Sequence, residues 1–360
     1  RELPAGLHWV FGRSHRLEIE RTLKNAIGHT PIRSILMVSI VALLLIMRGR
    51  IVTALRRTAE GVGRVSTDHF GRTGQAVAWT LLLALPVPLL LGSIAVLLAQ
   101  AESPSAWLRD INHGIPVALL IISFAFFIAA CCCPGGLGAA HFGWRPESLS
   151  WLRRVSYWFA IVYTPLILLA NSTLSSESGR FFHSVGRVSF LVINAWLLSL
   201  LIRMFSYMRR LSSQFAEENL HTTLARSQSL WSWLFFIIPI SLMGLAAFGY
   251  TLCGIDLSVI LVLSLIIVVS GGVLYALVLR WFKIKHRRLA LAEAIERRRA
   301  RQEAAQQEAE AESGEGVAVV DEDELELDLD SVGAQTRDML RMLFGLGVVA
   351  AVLALWSTTR

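Results

Sequence analysis

The sequence predicts an all-α fold: a polytopic membrane protein with about eight transmembrane helices and a cytoplasmic helical and acidic loop. Three observations support this fold class. Of the 360 residues, 54% are apolar and only 17% are charged, whereas soluble domains are about one quarter charged. The mean hydropathy is +0.55. The apolar residues also form long blocks, without the periodicity of a soluble core. Together these observations exclude an ordinary soluble enzyme.

Eight apolar blocks are candidates for transmembrane helices, which need about 20 largely apolar residues. Two blocks, 34–47 and 188–202, are short between charges. Arg33 and Arg203 can snorkel to the headgroups, so these blocks extend to 30–47 and 187–207. The other six are free of charged residues over a spanning length: 73–101, 111–140, 155–176, 227–255, 257–279 and 342–359.

The basic residues predict the orientation of the eight segments. The loops after segments 1, 3, 5 and 7 carry six, three, four and eleven Lys and Arg residues, against three in the intervening loops. Cytoplasmic loops carry the excess of Lys and Arg. We therefore predict a multi-pass membrane protein, with both ends of this sequence on the outer side of the membrane. The six basic residues before segment 1 fit this orientation only if a translocated region precedes them.

Four regions follow from this pattern. Residues 1–29 are predicted to be the end of a region on the outer side of the membrane or an interfacial helix, and residues 30–282 a membrane domain with seven helices. Residues 283–335 form a cytoplasmic loop, in which 285–312 favour a helix continuing from segment 7. Seven carboxylates follow in 321–330. They lack the glycine and closing glutamate of a calcium loop, which favours a solvated charge run. Residues 336–360 form the eighth membrane helix, with Asp330 or Ser331 as the predicted cap.

Three groups of residues are candidates for function. Basic and aromatic residues at predicted segment ends are candidate headgroup or lipid anchors: Arg48, Arg50, Arg153, Arg154, Tyr157, Trp158, Trp281 and Lys283. Prolines within segments remove backbone donors and are candidate kinks: Pro86, Pro88, Pro165 and Pro239. Residues leading into segment 8 are a candidate coupling segment: Asp330, Gln335, Arg337 and Arg341.

No residue pattern indicates catalysis, a metal site or a cofactor. Three cysteines are consecutive at Cys131–Cys133 and the fourth is distant at Cys253, which matches neither a disulfide framework nor zinc-ligand spacing. The histidines are scattered without paired spacing. The basic residues lie beside apolar blocks, so we expect no nucleic-acid partner. Only Asn194 lies well inside a segment, which disfavours a transporter with a midplane site.

Several runs of sequence resemble one channel family. They are 21–24 through 47–50, Trp79 to Pro86, Cys133-Pro-Gly-Gly136 with His141-Phe-Gly-Trp144, 186–190, 239–250, and 325–330 leading to 335–337. In this order they resemble the membrane region of the long members of the small-conductance mechanosensitive channel (MscS) superfamily, the potassium-dependent and miniconductance (MscK/MscM-like) type. The resemblance spans nearly the whole sequence.

The resemblance implies that these are the extra inner-membrane helices of such a channel. A periplasmic helical region would precede them, and segment 8 would lead towards channel core helices of the same full-length chain. It implies a place in the bacterial inner membrane with both ends of this sequence periplasmic, membrane lipids as partners and a homo-oligomer, a heptamer in this family. We therefore expect a domain that couples bilayer tension or lipid occupancy to the pore and protects cells during osmotic down-shock. The alternatives are a structural anchor or assembly module for the periplasmic region and, less favoured, a secondary transporter.

Overall fold

The computed structural model describes residues 8–10, 12–60, 62, 69–100, 104–174, 182–215, 222–310 and 323–358. This part of the chain contains helices and turns and no strand. The α-helices are α1 Arg13–His29, α2 Pro31–Ile46, α3 Arg48–Ala59, α4 Phe70–Ala84, α5 Pro86–Ala99, α6 Ala106–Cys131, α7 Pro146–Trp158, α8 Thr164–Ser172, α9 Arg187–Phe215, α10 Thr222–Ala247, α11 Thr251–Glu310 and α12 Asp323–Thr358. Short π-helices lie at Leu137–His141, Phe159–Tyr163 and Phe182–Gly186.

Five helical stretches of the described chain are long and apolar enough to cross a bilayer, or up to seven if each of two bent helix pairs is one span. The five are Ala106–Cys131, Pro146–Ser172, Phe182–Ser206, Thr251–His286 and Arg337–Thr358. They coincide with predicted segments 3, 4, 5, 7 and 8. The all-α, polytopic fold predicted from composition is therefore confirmed.

The remaining predicted segments are shorter or bent. Segment 2 consists of α4 and α5, which meet at an angle of 49°. Segment 1 corresponds to α2, which follows a bend of 108° after α1. Segment 6 lies on the 26-residue helix α10, of which Phe235–Ala247 is the apolar part whose side chains the structure describes. By length and composition the described residues thus contain five to seven candidate spans, where the hydropathy blocks predict about eight.

Two prolines lie where the helical backbone changes its geometry. Pro86 is buried and begins α5 at the 49° bend. Pro165 is in the first turn of α8, directly after the π-helix Phe159–Tyr163. Proline has no N–H, and its ring collides with the carbonyl four residues earlier. A wider π turn accommodates that collision while the span continues to Ser172.

The helices form two compact units. The first consists of Arg1–Ile51, Leu81–Ala130 and Ser150–Leu261, and the second of Val52–Thr80, Cys131–Leu149 and Val262–Arg360. In the first unit, α2 and α1 pack on α5, and α9 packs on α8 and α10. One of its hydrophobic clusters joins Phe182, Phe190, Leu242 and Ile255. The four regions predicted from the sequence follow charge and hydropathy, and their boundaries stay predictions.

The cytoplasmic region predicted from charge is represented by the extension of α11 and the start of α12. Helix α11 continues without a break through residue 310, as the Ala- and Glu-rich composition predicts. Helix α12 begins at Asp323, before the predicted cap at Asp330 or Ser331. Residues 311–322, which include Gly314 and Gly316, lie outside the described residues.

The buried amides within the first unit bond their own helices. Asn194 is 1% exposed, and its Nδ2 donates to the Phe190 carbonyl at 2.9 Å. Asn171 Nδ2 donates to the Ile167 carbonyl in the same way, at 3.0 Å. Such bonds satisfy part of each amide without a partner from another helix.

The four cysteines differ in accessibility, which predicts a labelling result. Cys131, Cys132 and Cys133 are buried and Cys253 is exposed. In detergent, a maleimide should modify about one thiol per native chain, and all four after denaturation, because the reaction needs an accessible thiolate. The number of attached groups is measured by intact-protein mass spectrometry. Cys253→Ser should abolish the native modification; rapid labelling that persists in this variant would contradict the buried placement of the other three.

Candidate coupling site

The second unit is organised by α11 and α12, which lie antiparallel. The indole Nε1 of Trp356 donates to Ser264 Oγ at 3.1 Å. The ring centroids of Tyr275 and Phe344 are 5.8 Å apart in an edge-on contact. From Ser264 to Tyr275, α11 runs towards its C-terminus, while the residues of α12 that contact them run from Trp356 to Phe344, towards its N-terminus. The two stretches are nearly equal in length. The two helices keep one constant register over about three turns.

Of the described glycines in this pair, Gly271 has the close contact with the other helix. A Cβ placed on Gly271 would overlap with Val348 Cγ2. The neighbouring Gly272, and Gly345 and Gly347 on α12, have no atom within 4 Å of such a Cβ. Small residues allow close packing of membrane helices. Gly271 is thus the position where the α11–α12 contact requires glycine.

A buried polar network lies in the second unit; we refer to Thr58, Thr73, His141 and Arg280 as the Arg280 cluster. Arg280 is 9% exposed. Its Nε donates to Thr73 Oγ1 at 2.6 Å and its Nη1 to the His141 carbonyl at 2.8 Å. The His141 ring lies between two hydroxyls, with Nδ1 3.3 Å from Thr73 and Nε2 3.3 Å from Thr58. The cluster connects α3, α4, α11 and the π-helix Leu137–His141.

One assignment of protons satisfies every contact in this network. Thr73 accepts from Arg280 and donates its hydroxyl proton to His141 Nδ1. His141 is then the neutral Nε2–H tautomer and donates to Thr58, which donates in turn to the Leu55 carbonyl at 2.6 Å. Which ring nitrogen carries the proton is inferred from these partners. Each hydrogen bond in this chain is donated away from Arg280: by Arg280 to Thr73, by Thr73 to His141 and by His141 to Thr58. The charge of Arg280 therefore orients the cluster.

The loop that positions His141 is shaped by glycines. Gly135 has a φ of 70° and Gly143 a φ of 67°, a conformation that other residues rarely adopt. A Cβ on Gly138 would lie 2.9 Å from the Cys131 carbonyl oxygen. The Cys133-Pro-Gly-Gly136 run therefore turns the chain after α6 and packs it tightly before the His141-Phe-Gly-Trp144 run begins.

A pocket of about 400 Å³ lies beside the Arg280 cluster. One wall is the segment from Ala140 to Trp144 and the other is a face of α11. The α11 residues that line it are Gly272, Tyr275, Ala276, Leu279, Arg280 and Lys283. Their spacing of three or four residues places them on one side of the helix. Two basic side chains lie at one end of this face, and small or apolar side chains at the other.

A larger groove of about 940 Å³ lies within the first unit, between α2, α5 and α6. Its lining is mostly aliphatic, with Arg33 among the α2 residues. Pro88, two residues beyond the 49° bend, contributes to it, as does Pro116, which lies inside α6. The groove is therefore lined by residues from a bent helix and a proline-containing helix.

The predicted headgroup anchors are distributed over both units. Arg48, Arg50, Arg154, Trp158, Trp281 and Lys283 are exposed, and Arg153 and Tyr157 are half-buried. The structure brings Arg153 and Tyr157 together, with the guanidinium carbon 5.8 Å from the ring centroid. Lys285 lies 4.8 Å above the Trp281 ring. Lys283 alone among the eight lines the pocket beside Arg280. Their role as lipid anchors stays a prediction.

The predicted coupling segment lies along the first half of α12. Asp330 and Gln335 are within this helix, but their side chains lie outside the described part of the structure. Arg337 and Arg341 are exposed, and Arg341 is 3.9 Å from Asp338. An exposed pair of this kind contributes little to stability. The last predicted kink, Pro239, lies inside α10.

The residues of the Arg280 cluster are not recognisable as a site from the sequence. Thr58 and Thr73 carry no signal in the sequence, since single threonines are common at helix ends. Arg280 was counted only as a loop charge, although it directly ends the charge-free run 257–279. His141 stood next to a glycine-rich turn, which was the one local indication of a fixed position.

Among the described residues there is no group of three or more side chains suited to a metal ion.

Comparison with known proteins identifies the family. Residues 31–359 match the family described as "Mechanosensitive ion channel inner membrane domain 1". The chain is 28% identical over 309 residues to the miniconductance mechanosensitive channel MscM of Escherichia coli (strain K12), an alignment that covers 84% of this chain and 27% of that protein. No solved structure matches significantly. The resemblance noted in the sequence is thus confirmed, and the chain belongs to the family of mechanosensitive ion channel inner membrane domains.

Proposed function

We propose that this chain couples bilayer tension and lipid occupancy to the pore of a mechanosensitive channel that protects cells during osmotic down-shock. The chain spans 27% of the length of its curated relative, so the activity proposed belongs to a longer polypeptide. The observation that carries the proposal is the α11–α12 pair. Its constant register and close contact at Gly271 allow a displacement of α11 to be transmitted along α12.

The exposure of α12 supports a role in transmission. Only 6% of the apolar window in Arg337–Thr358 is buried within the chain, so most of this helix is available to lipid or to further helices. Tension favours the state with the larger in-plane area, and a lipid shifts the balance only if it binds the two states differently. The groove between α2, α5 and α6 offers one place where lipid occupancy can differ between states.

The orientation and assembly are parts of this proposal. The excess of basic residues in the loops after segments 1, 3, 5 and 7 supports a cytoplasmic position for those loops and a periplasmic position for both ends. The partners proposed are membrane lipids, pore-forming helices of the same polypeptide and further copies of the chain, seven by family resemblance. We propose no enzymatic activity and no cofactor.

A deletion experiment tests the proposal. Full-length channel and a variant lacking residues 31–359 are expressed in cells without other mechanosensitive channels, and patches are recorded under graded suction. We expect tension-activated currents from the full-length protein and a shifted pressure threshold in the variant. An unchanged threshold in a variant present in the membrane at normal levels would contradict coupling. Normal gating with poor assembly would favour the structural anchor.

A further inference from the structure

We propose that the pocket beside the Arg280 cluster binds the phosphate group of an anionic membrane lipid, with Arg280 and Lys283 as the residues that contact it. The proposal deepens the proposed function, because it names one position where lipid occupancy is sensed. The effect of this site on gating rests on the proposed function. Lipid binding itself does not, because it is measured without tension.

The charge of the lining supports an anionic ligand. Arg280 and Lys283 both line the pocket, and none of its described lining residues is an aspartate or a glutamate. The two basic residues are three positions apart on α11, so they lie on the same side of the helix. Two positive charges at one end of a small pocket match a phosphodiester, which carries one negative charge shared by its oxygen atoms.

Arg280 is held in a fixed orientation before a ligand arrives. Its Nε and Nη1 donate to Thr73 and to the His141 carbonyl at 2.6 and 2.8 Å. A planar guanidinium fixed in this way loses little freedom when it binds, and its fork of donors suits phosphate oxygens. Preorganisation of this kind increases affinity because less ordering is needed on binding.

The position of the pocket along the candidate span and the shape of its lining favour a lipid over a free anion. Arg280 and Lys283 lie near the end of the candidate span Thr251–His286, where headgroups meet protein. From Arg280 the face continues over Leu279, Ala276 and Gly272, about 12 Å along the helix axis. This apolar wall can contact the glycerol and the start of an acyl chain, while Trp144 and Tyr275 provide the amphipathic rings typical of an interface.

Lipid binding to the full-length channel in detergent tests the site. Native mass spectrometry follows titrations with dioleoylphosphatidylglycerol and with dioleoylphosphatidylcholine. We expect the anionic lipid to bind about tenfold more tightly, and Lys283→Gln to weaken it about tenfold, the usual effect of losing one charge-assisted hydrogen bond. Lys285→Gln is the matched control: it removes the same charge two residues away, from a lysine that lies over Trp281, and should change affinity less than twofold.

A second variant and a competition separate the alternatives. Gly272→Leu adds no charge and meets no atom within 4 Å of its Cβ, but it fills the apolar part of the pocket and should weaken binding of the anionic lipid about tenfold. Sodium phosphate at equal concentration should not displace the lipid. Equal losses in Lys283→Gln and Lys285→Gln would indicate a diffuse positive surface and overturn the site, as would displacement by inorganic phosphate. A channel that ignores tension but binds lipid as expected would overturn the proposed function and leave this site standing.

Discussion

Replacing Gly271 with valine should force α11 and α12 apart and destabilise the second unit of the chain. The new Cβ would overlap with Val348 Cγ2, and a β-branched valine has almost no alternative rotamer within a helix. Overpacking of this kind costs about 1–3 kcal/mol. We expect a lower Tm for the purified full-length protein. Because the register with α12 is lost, we also expect a shifted pressure threshold in patches.

Gly345→Val is the matched control for this prediction. It makes the same substitution in the other helix of the pair, at a position with no atom within 4 Å of the added Cβ. We expect its Tm and threshold to stay close to those of the wild type. If the two variants behave alike, glycine content and not the contact at Val348 determines the effect, and the proposed path through α12 loses its support.

Replacing Arg280 with methionine should remove the charge that orients the Arg280 cluster. Methionine keeps an unbranched apolar stem but ends before the guanidinium and donates no hydrogen bond, so Thr73 Oγ1 and the His141 carbonyl lose the Arg280 donors at 2.6 and 2.8 Å. Leaving buried polar atoms without partners costs about 1–3 kcal/mol. The free energy of unfolding should fall by about this amount, measured as a lower Tm or a lower denaturant midpoint in detergent.

A double-mutant cycle with Thr73→Val separates the cluster from general effects of losing arginine. Side chains in one network are not additive, so Arg280→Met and Thr73→Val together should cost less than the sum of the two. Arg154→Met is the control, because Arg154 is exposed and surface substitutions usually change stability by less than about 0.5 kcal/mol. Additive effects, or an unchanged Tm in Arg280→Met, would show that the network does not hold these elements together.

Much of the membrane architecture was predictable because its physical constraints are local. A span must satisfy its own backbone groups and must be apolar over its length, and both properties are visible in a run of residues such as 257–279. The extension of α11 beyond its apolar stretch followed from helix propensity in the same way. Length alone was less informative for the block 30–47, since α2 follows a sharp bend that hydropathy does not reveal.

The candidate site was largely not predictable. Lys283 was predicted as an anchor at the headgroup level, because a lysine beside an apolar run is a local signal. Its neighbour Arg280 has the same local signal but is buried, and the difference arises from contacts with Thr73 and His141. These residues are far away in sequence. No periodicity or spacing relates them, so only packing could bring them together.

The sequence by itself determined that this is an all-α membrane protein, where its apolar helices lie and which family it resembles, because hydropathy, charge and backbone satisfaction act along the chain. The tertiary structure decided which of two adjacent glycines touches α12. Gly271 and Gly272 are equivalent in composition, but successive residues of an α-helix point about 100° apart. The rotation of α11 against α12 places one in contact with Val348 and leaves the other on the wall of the pocket.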